Sequence, residues 1–399
     1  MVGAGDLSEY DRAKKIKTQG PDSVYVAQET IRAKVVVSCV GGLVEPKIWP
    51  DTIPGEDQFQ GEIFHSARWR YDVDLKDKDV VVVGTGCSAA QFVPLLTKEY
   101  GAKSVTQLMR SPPWVVPRTI PPFGNKGWEK WSPWLNTYVP GFGKSIRNLI
   151  AVGAEYDWRL FGSGEWSQKE RKKLEDELLA RMKKTVPKKY HEILTPDYGV
   201  GCKRRIFDAT WLPGLNDPTI ELTTLPLTSI GEKTVTLGPG RTYPDPKITT
   251  SSAPAHEVTI PADVIILANG FQTTKWLHPL DITGKGGRKL HDSFDQQGGP
   301  SMYMGMALDG FPNLFTIFGP NTATGHSSVI LASENMVNLS LKLIKPILEG
   351  DVIRTEIRKE AQLEWNRDTQ GALKKRVWNT GGCRSWYQTD EGWNSTVYP

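Results

Sequence analysis

Short runs of apolar residues mark the strands that this sequence predicts. Three such runs are 33–40 (AKVVVSCV), 76–83 (KDKDVVVV) and 104–109 (SVTQLM). The first two do not alternate between apolar and polar positions, so we expect strands buried on both faces, as in a parallel sheet. Further strand signals lie in 219–225, 233–237, 262–268 and 313–318.

Apolar residues at helical spacing mark the helices. One helix is expected to start near Cys87. Another is expected from about Ser167, where Glu170 completes a capping box, and its apolar face would be Leu174, Leu178, Leu179 and Met182. This helix belongs to a segment rich in tryptophan, proline and charge. Two more helices are expected over 326–349 and 355–378.

The clearest chemical signal is the turn between the second strand and the first helix. Gly84, Gly86 and Ala89 fit G-x-G-x-x-A directly after a predicted strand. The first glycine allows a tight turn, and the second lets the backbone approach a diphosphate at the helix N-terminus. This pattern predicts a dinucleotide site, and the alternative is a tight turn without a ligand. We expect Cys87 to be a small buried residue rather than a reactive thiol.

The residues after the third strand indicate which dinucleotide binds. An NAD site expects an acidic residue there, but this strand ends in Arg110-Ser111. A cation and a hydroxyl suit a 2′-phosphate, so NADPH is favoured over NADH. The alternative for Arg110 is a solvated cation at a strand end.

Composition and charge exclude several other classes of protein. The chain has 399 residues and a net charge of +4, which gives little support for a nucleic-acid partner. No run approaches 18 apolar residues, so we expect no stable membrane insertion. Cys39, Cys87, Cys202 and Cys383 form no Cys-x-x-Cys pair. We therefore expect no disulfide framework, no metal site and a reducing, cytoplasmic location.

Several stretches carry a resemblance to a known family. Residues 59–69 (FQGEIFHSARW) fit F-x-G-x-x-x-H-x-x-x-W at Phe59, Gly61, His65 and Trp69. This resembles the fingerprint of the Baeyer–Villiger monooxygenases, which are related to the flavin-containing monooxygenases. Residues 109–118 (MRSPPWVVPR), 201–205 (GCKRR) and 311–322 (FPNLFTIFGPNT) are similar to further segments of that family.

The resemblance implies an α/β flavoprotein with two Rossmann-like, doubly wound dinucleotide-binding domains and a helical insert. It divides the chain into a remnant of the FAD-binding domain with a linker (1–75), an NADP-binding domain (76–118 and 190–218), the insert (119–189), and the returning FAD-binding domain with C-terminal helices (219–399). The sequence shows no early G-x-G-x-x-G turn for the FAD diphosphate. The first domain is therefore expected to be incomplete at its N-terminus.

The implied activity is a monooxygenase reaction in which NADPH reduces FAD. One oxygen atom of O2 is then inserted beside a ketone carbonyl to give an ester or lactone, with secondary metabolism as the expected setting. The resemblance makes Arg204 the catalytic cation, because a guanidinium stays charged at any working pH. It gives Lys203 to the 2′-phosphate and His65 a structural or hinge role. The alternative for 203–205 is a solvated basic run.

The remaining site expectations form one set. The residues expected to bind the cofactors are Gly84, Thr85, Gly86, Cys87, Ser88, Ala89, Gln91, Arg110, Ser111, Lys203, Gly41, Asn269, Gly270, Gly319, Pro320 and Asn321.

Departures from the family pattern keep two other functions open. SCVGG (38–42) and LANGF (267–271) differ from the Ala-Thr-Gly linkers of the family. Together with the missing FAD turn, they leave open an NADP-binding derivative that is poor in flavin and has no catalysis. An N- or S-oxygenating flavin monooxygenase is the other alternative.

Overall fold

The computed structural model describes residues 2–3, 9–27, 29–47, 49, 52–118, 120–244, 255–278 and 280–398. The strands in these residues are β1 (Val2–Gly3), β2 (Tyr25–Ala27), β3 (Val36–Ser38), β4 (Glu62–His65), β5 (Asp79–Val83), β6 (Ser104–Leu108), β7 (Val115–Val116), β8 (Ile206–Phe207), β9 (Ile220–Thr223), β10 (Leu227–Ile230), β11 (Thr234–Leu237), β12 (Val258–Pro261), β13 (Val264–Leu267) and β14 (Leu314–Thr316). The helices are α1 (Glu9–Gln19), α2 (Cys87–Lys98), α3 (Gly124–Tyr138), α4 (Phe142–Tyr156), α5 (Glu165–Thr185), α6 (Trp211–Gly214), α7 (Leu290–Gln296), α8 (Val329–Glu349), α9 (Lys359–Leu373) and α10 (Val377–Thr380).

The chain divides into two compact units. Unit 1 is 1–34, 46–111 and 217–271, and unit 2 is 35–45, 112–216 and 272–399. The domain boundaries expected from the sequence differ from these. They assign 190–218 to the NADP-binding domain and 219–271 to the returning FAD-binding domain. The structure places 217–271 in unit 1 because β9 hydrogen-bonds to β6 and β13 to β5.

Unit 1 is built on a five-stranded parallel sheet in the order β4-β13-β5-β6-β9. The strands expected at 76–83, 104–109 and 262–268 are confirmed as β5, β6 and β13. All four residues of β13 and the first four of β5 are buried, as a parallel sheet covered on both faces requires. The edge strand β4 gave no strand signal of its own in the sequence.

Two layers supply the core around this sheet. An antiparallel sheet, β10-β11-β12, contributes Ile230, Val235 and Leu237 to one cluster with Val81 and Ile265 of the parallel sheet. Helix α2 follows β5 and buries Ala89, Ala90, Val93, Pro94 and Leu96. The helix expected from Cys87 is confirmed, and its small residues allow the close packing that the turn before it requires.

The core of unit 2 is aromatic and includes a disulfide. The ring of Phe161 stacks on Trp378 with centroids 5.0 Å apart, and both side chains are almost fully buried. Cys202 and Cys383 are joined by a disulfide in this cluster, whereas Cys39 and Cys87 form none. The expectation of no disulfide framework is therefore wrong for Cys202 and Cys383. The two partners are 181 residues apart in sequence, so their spacing gave no sign of the pair.

The first predicted strand is much less buried than its composition indicated. It is shortened to β3, which pairs in parallel with β14, and Val36 and Val37 are 54% and 44% exposed. The expectation of burial on both faces is wrong, because in the described residues β3 pairs only with β14 and its two valines stay exposed.

The helices of unit 2 depart from the sequence expectations at two points. The insert is helical from Gly124, not only from Ser167, because α3 and α4 precede α5. The capping box is also wrong: α5 begins at Glu165 after an N-cap at Gly164, and Ser167 is buried inside the helix. Nowhere in the described ranges is a helix both long and apolar enough to cross a bilayer.

We expect Asp79→Asn to destabilise the protein in a pH-dependent way. The carboxylate of Asp79 accepts hydrogen bonds from Lys103 Nζ (2.8 Å) and Ser104 Oγ (2.6 Å). Burial alone would raise the pKa of Asp79, but these two bonds outweigh it and hold the pKa below its ordinary value. Such a group stabilises the fold above its unfolded pKa, and this stability is lost as the pH falls through the folded pKa.

The free energy of unfolding should therefore fall by about 1–2 kcal/mol at pH 7 in the Asp79→Asn variant. The difference from wild type should shrink below about pH 4, as measured by urea unfolding over a pH series. Asp57→Asn is the control, because Asp57 belongs to a solvent-exposed ion pair with Lys14 and should change stability by less than about 1 kcal/mol. A pH-independent loss at Asp79 would contradict this account.

Candidate active site

The carboxyl ends of four neighbouring strands of unit 1 meet at one edge of its parallel sheet. His65 ends β4, and Asn269 and Gly270 follow β13. The turn 84–86 follows β5, and Arg110 comes two residues after β6. Ligands of open parallel sheets bind at this edge. The structure thus gathers most of the cofactor residues expected in this unit.

Gly84 is required by the fold itself. Its φ of +119° is in the region that glycine favours, and a side chain there would overlap the carbonyl oxygen of Ala268. Its N–H donates to the Leu108 carbonyl (2.9 Å), and its own carbonyl accepts from the buried Gln107 side chain (2.9 Å). Gly84 therefore lets β5 turn sharply between β6 and β13.

Gly86 has no comparable structural reason to be a glycine. Its φ is −75°, and a Cβ built there would meet no atom within 4 Å. As the N-cap of α2 it provides no side-chain cap, and the following Cys87 and Ser88 are exposed. The expectation that Cys87 is buried is wrong. An open helix N-terminus of this kind can hold a diphosphate close to the backbone.

The polar groups at the same edge can complete such a site. Arg110 and Gln91 are exposed, and Ser111 is half-buried. The Oδ1 atom of Asn269 is buried and accepts no hydrogen bond in the described residues. An unsatisfied buried acceptor is costly, so a ligand that donates to it would be stabilised. These residues fit a dinucleotide with an additional phosphate.

The fingerprint residues support this edge from β4. The Nδ1 atom of His65 accepts a hydrogen bond from the Ala67 N–H (3.0 Å). The proton of the neutral ring is therefore on Nε2, which donates to the Gly270 carbonyl (3.2 Å). Trp69 packs edge-on against Phe64 and against Phe92 of α2, with centroids 5.4 and 5.2 Å apart. These contacts fit the structural or hinge role expected for His65.

Gly61 of the fingerprint is fixed by packing. A side chain there would overlap the carbonyl oxygen of Asp263 and come within 2.7 Å of the Phe59 ring. Phe59 in turn packs against the core cluster of unit 1. The glycine therefore lets β4 lie close to the chain that enters β13.

In unit 2, two expected flavin loops follow adjacent parallel strands. Gly41 follows β3 with φ of +69° and open space at its Cβ position. Gly319 and Pro320 follow β14, and Gly319 has no room for a side chain beside the carbonyl of Gly305. Both loops thus lie beyond the carboxyl ends of one parallel pair, which is the position expected for a ligand.

Asn321 has a structural role that the sequence did not predict. Its Nδ2 atom donates to the backbone carbonyls of Asn394 (2.7 Å) and Val397 (2.9 Å). The side chain is 2% exposed, and both Asn321 and Phe318 have positive φ. This amide therefore anchors the C-terminal segment to the loop.

The segment 201–205, also in unit 2, presents one cation to solvent. Arg204 is exposed, while Lys203 is half-buried with its ammonium 4.4 Å from the centroid of the Tyr198 ring. Arg205 is buried and ion-paired with Asp157. The sequence indicates no separate role for Arg205 and no sign of Asp157, since 48 residues separate the partners and no motif marks the carboxylate.

Comparisons with known proteins agree with this geometry. The family described as flavin-binding monooxygenase-like matches residues 25–129. A Baeyer–Villiger monooxygenase of Streptomyces coelicolor is 33% identical over 93% of this chain, and one of Pseudomonas aeruginosa is 31% identical over 92%. An FAD-binding monooxygenase of Aspergillus niger is 31% identical over 98%. The chain spans 66%, 64% and 61% of the lengths of these relatives, respectively.

Solved structures show the same fold. The complex of OTEMO with FAD and NADP superposes with a TM-score of 0.70 at 22% identity, over 93% of this chain and 72% of that one. Cyclohexanone monooxygenase from Rhodococcus bound to NADP+ gives a TM-score of 0.69 at 21% identity, over 92% and 70%. The α/β flavoprotein architecture expected from the sequence is confirmed.

The two glycines of the turn should respond differently to substitution. Gly84→Ala should lower the free energy of unfolding by about 2 kcal/mol or more, because of the positive φ and the overlap with Ala268. Gly86→Ala should change it by less than about 1 kcal/mol and weaken NADP+ binding at least about tenfold. Urea unfolding and NADP+ titration by tryptophan fluorescence measure both quantities. Unchanged affinity in Gly86→Ala would show that no ligand approaches this backbone.

Proposed function

Because this chain belongs to the flavin-binding monooxygenase family that contains the Baeyer–Villiger monooxygenases, we propose that it uses FAD and NADPH to insert one oxygen atom of O2 beside a ketone carbonyl. The product is an ester or a lactone. The observation that carries this proposal is the turn 84–86, where Gly86 is open and uncapped at the N-terminus of α2. The fold does not need a glycine there, but a bound diphosphate does.

The residues of unit 1 have separate tasks in binding NADPH. The backbone of the turn 84–86 and the first turn of α2 hold the diphosphate. The guanidinium of Arg110, with the hydroxyl of Ser111, binds the 2′-phosphate through charge-assisted hydrogen bonds. Asn269 offers its buried Oδ1 atom to a donor on the ligand. Together these contacts orient the dinucleotide along the carboxyl edge of the sheet.

The loops of unit 2 that follow β3 and β14 fit a flavin. Gly41 leaves open space beside the loop after β3. Gly319 packs closely against Gly305, which keeps the loop after β14 narrow. The left-handed backbone at Phe318 and Asn321 is the kind of strain that binding loops retain. Bound FAD supplies the transfer of electrons from NADPH to O2, which no side chain can perform.

Arg204 is the residue to which we assign stabilisation of negative charge. Its exposed guanidinium can contact a ligand, whereas Arg205 is neutralised by Asp157. Oxygen insertion beside a carbonyl develops negative charge on oxygen, and a fixed cation stabilises that charge. A guanidinium keeps its charge throughout and exchanges no proton with the reacting atoms.

We expect Arg110→Ala to impair NADPH binding selectively. Loss of a charge-assisted contact to the 2′-phosphate should raise the Kd for NADPH about 10- to 100-fold, because such contacts contribute about 1.5–3 kcal/mol. The Kd for NADH should change less than about threefold, as measured by isothermal titration calorimetry. Lys76→Ala is the matched control, since Lys76 is an exposed cation just before the amino end of β5. Equal losses for both dinucleotides would exclude this role for Arg110.

We expect Arg204→Ala to abolish oxygenation while NADPH binding stays within about threefold of wild type, because the cation acts on the reacting oxygen. Ester or lactone formation from a panel of ketones, followed by mass spectrometry, is the measurement. Arg354→Ala provides the control, because Arg354 is another exposed arginine of unit 2. Ester formation at the wild-type rate in Arg204→Ala would reject the assignment.

A second candidate function is NADP binding without flavin. The specific observation in its favour is the two-stranded sheet of β3 and β14, whose valines are exposed. Visible absorbance of the purified protein after incubation with FAD and gel filtration separates the two functions. A retained flavin spectrum together with ketone-stimulated NADPH oxidation supports the monooxygenase. NADPH binding without retained flavin selects the second candidate.

A further inference from the structure

Four of the five residues in the segment 201–205 are anchored separately. Gly201 packs against the ring of Phe161, and Cys202 is bonded to Cys383. Lys203 lies over the ring of Tyr198. Arg205 is bound to Asp157 on the far side of the segment. Only Arg204 projects an exposed side chain.

Of these residues, Arg205 is the buried cation and needs a charged partner. Its side chain is 5% exposed, and both Nη atoms donate to Oδ2 of Asp157 at 3.1 Å. The guanidinium carbon lies 5.7 Å from the ring centroid of Phe161 and 5.3 Å from that of Phe207. A charge among aromatic rings is stable only when paired, so the position of the carboxylate determines where Arg205 lies.

Asp157 is itself held in place. It directly follows α4, and its Oδ1 atom accepts from Arg159 Nη1 at 3.3 Å. The Nε atom of Arg159 donates to Glu170 of α5 at 3.0 Å. The carboxylate that receives Arg205 is therefore held by Arg159, which Glu170 of α5 holds in turn.

The direction of Arg204 follows from the anchoring of its neighbour. Arg204 and Arg205 lie directly before β8, whose first residue, Ile206, donates its N–H to the carbonyl of Trp114 at 2.9 Å. Arg205 is buried at this point of the chain, whereas Arg204 is exposed. Arg205 is drawn into the aromatic core by Asp157, and Arg204 is consequently turned out of it.

We propose that Asp157 and Arg205 are a positioning pair that directs the Arg204 guanidinium toward the reacting atoms. This inference rests on the proposed role of Arg204 in oxygenation. Neither Asp157 nor Arg205 touches substrate or cofactor in this account. Both act only through the orientation of Arg204.

The test combines Asp157→Asn with a charge-free pair, Asp157→Asn/Arg205→Met. Asp157→Asn leaves a buried unpaired guanidinium and should lower both Tm and kcat, whereas the double variant removes that charge and should recover Tm. We expect kcat for ester formation to stay about 10- to 100-fold below wild type in both variants, with KM for the ketone changed less than about threefold.

Hydrogen exchange gives a measurement that does not depend on activity. In the protein without added cofactor, amides of 203–207 should exchange faster in both variants, including the double variant with recovered Tm. Asp309→Asn is the matched control, because it removes the carboxylate of another partly buried ion pair of unit 2, with Arg288. It should lower Tm without changing kcat or the exchange of 203–207.

The outcomes separate this inference from the proposed function. Recovery of wild-type kcat or of wild-type exchange in the double variant would overturn it, because packing alone would then suffice. Absence of oxygenation in the wild-type protein would refute the proposed function, and the exchange of 203–207 would still decide whether the pair orders this segment.

Discussion

The structure of unit 1 depends on the close approach of Gly84 to the carbonyl oxygen of Ala268. No side chain fits between the two, and the positive φ of Gly84 helps turn the chain from β5 into α2 within three residues. The same approach allows β13 to pair with β5 along its full length, from Val264–Val80 to Leu267–Val83. Asn269, Gly86 and Arg110 thereby come to one edge of the sheet.

A second constraint operates in unit 2, where an aromatic core encloses a charge. Arg205 is buried beside the ring of Phe161, so its guanidinium needs the Asp157 carboxylate as its partner. The consequence is asymmetry between two adjacent arginines of identical chemistry. One is neutralised inside the core, and the other keeps its charge at the surface, where it can act on a ligand.

Local patterns predicted the parts of the fold that depend on local structure. The run DVVVVGTGCSAA specified β5, the turn and α2, because a buried strand, two glycines and small helical residues occur in one continuous segment. The strand β4 was missed because only Ile63 and Phe64 of its four residues are apolar, and it was the fingerprint around His65 that drew attention to this segment.

Features that depend on distant partners could not be predicted in this way. The valines of β3 have the composition of a buried strand, but their burial depends on neighbours that the run itself does not specify. The Cys202–Cys383 bond and the Asp157–Arg205 pair join residues that are far apart in sequence. The candidate site residues come from motifs, whereas the residues that hold them in place belong to no motif.

Oxygen-isotope labelling is the most direct test of the central claim, that this chain is an oxygenase. The full chain would be incubated with FAD, NADPH and a panel of ketones under 18O2, and the products analysed by mass spectrometry. The account predicts an ester or lactone that carries one 18O atom and whose formation requires NADPH. Oxidation of NADPH without any labelled product, across the panel and with FAD bound, would contradict it.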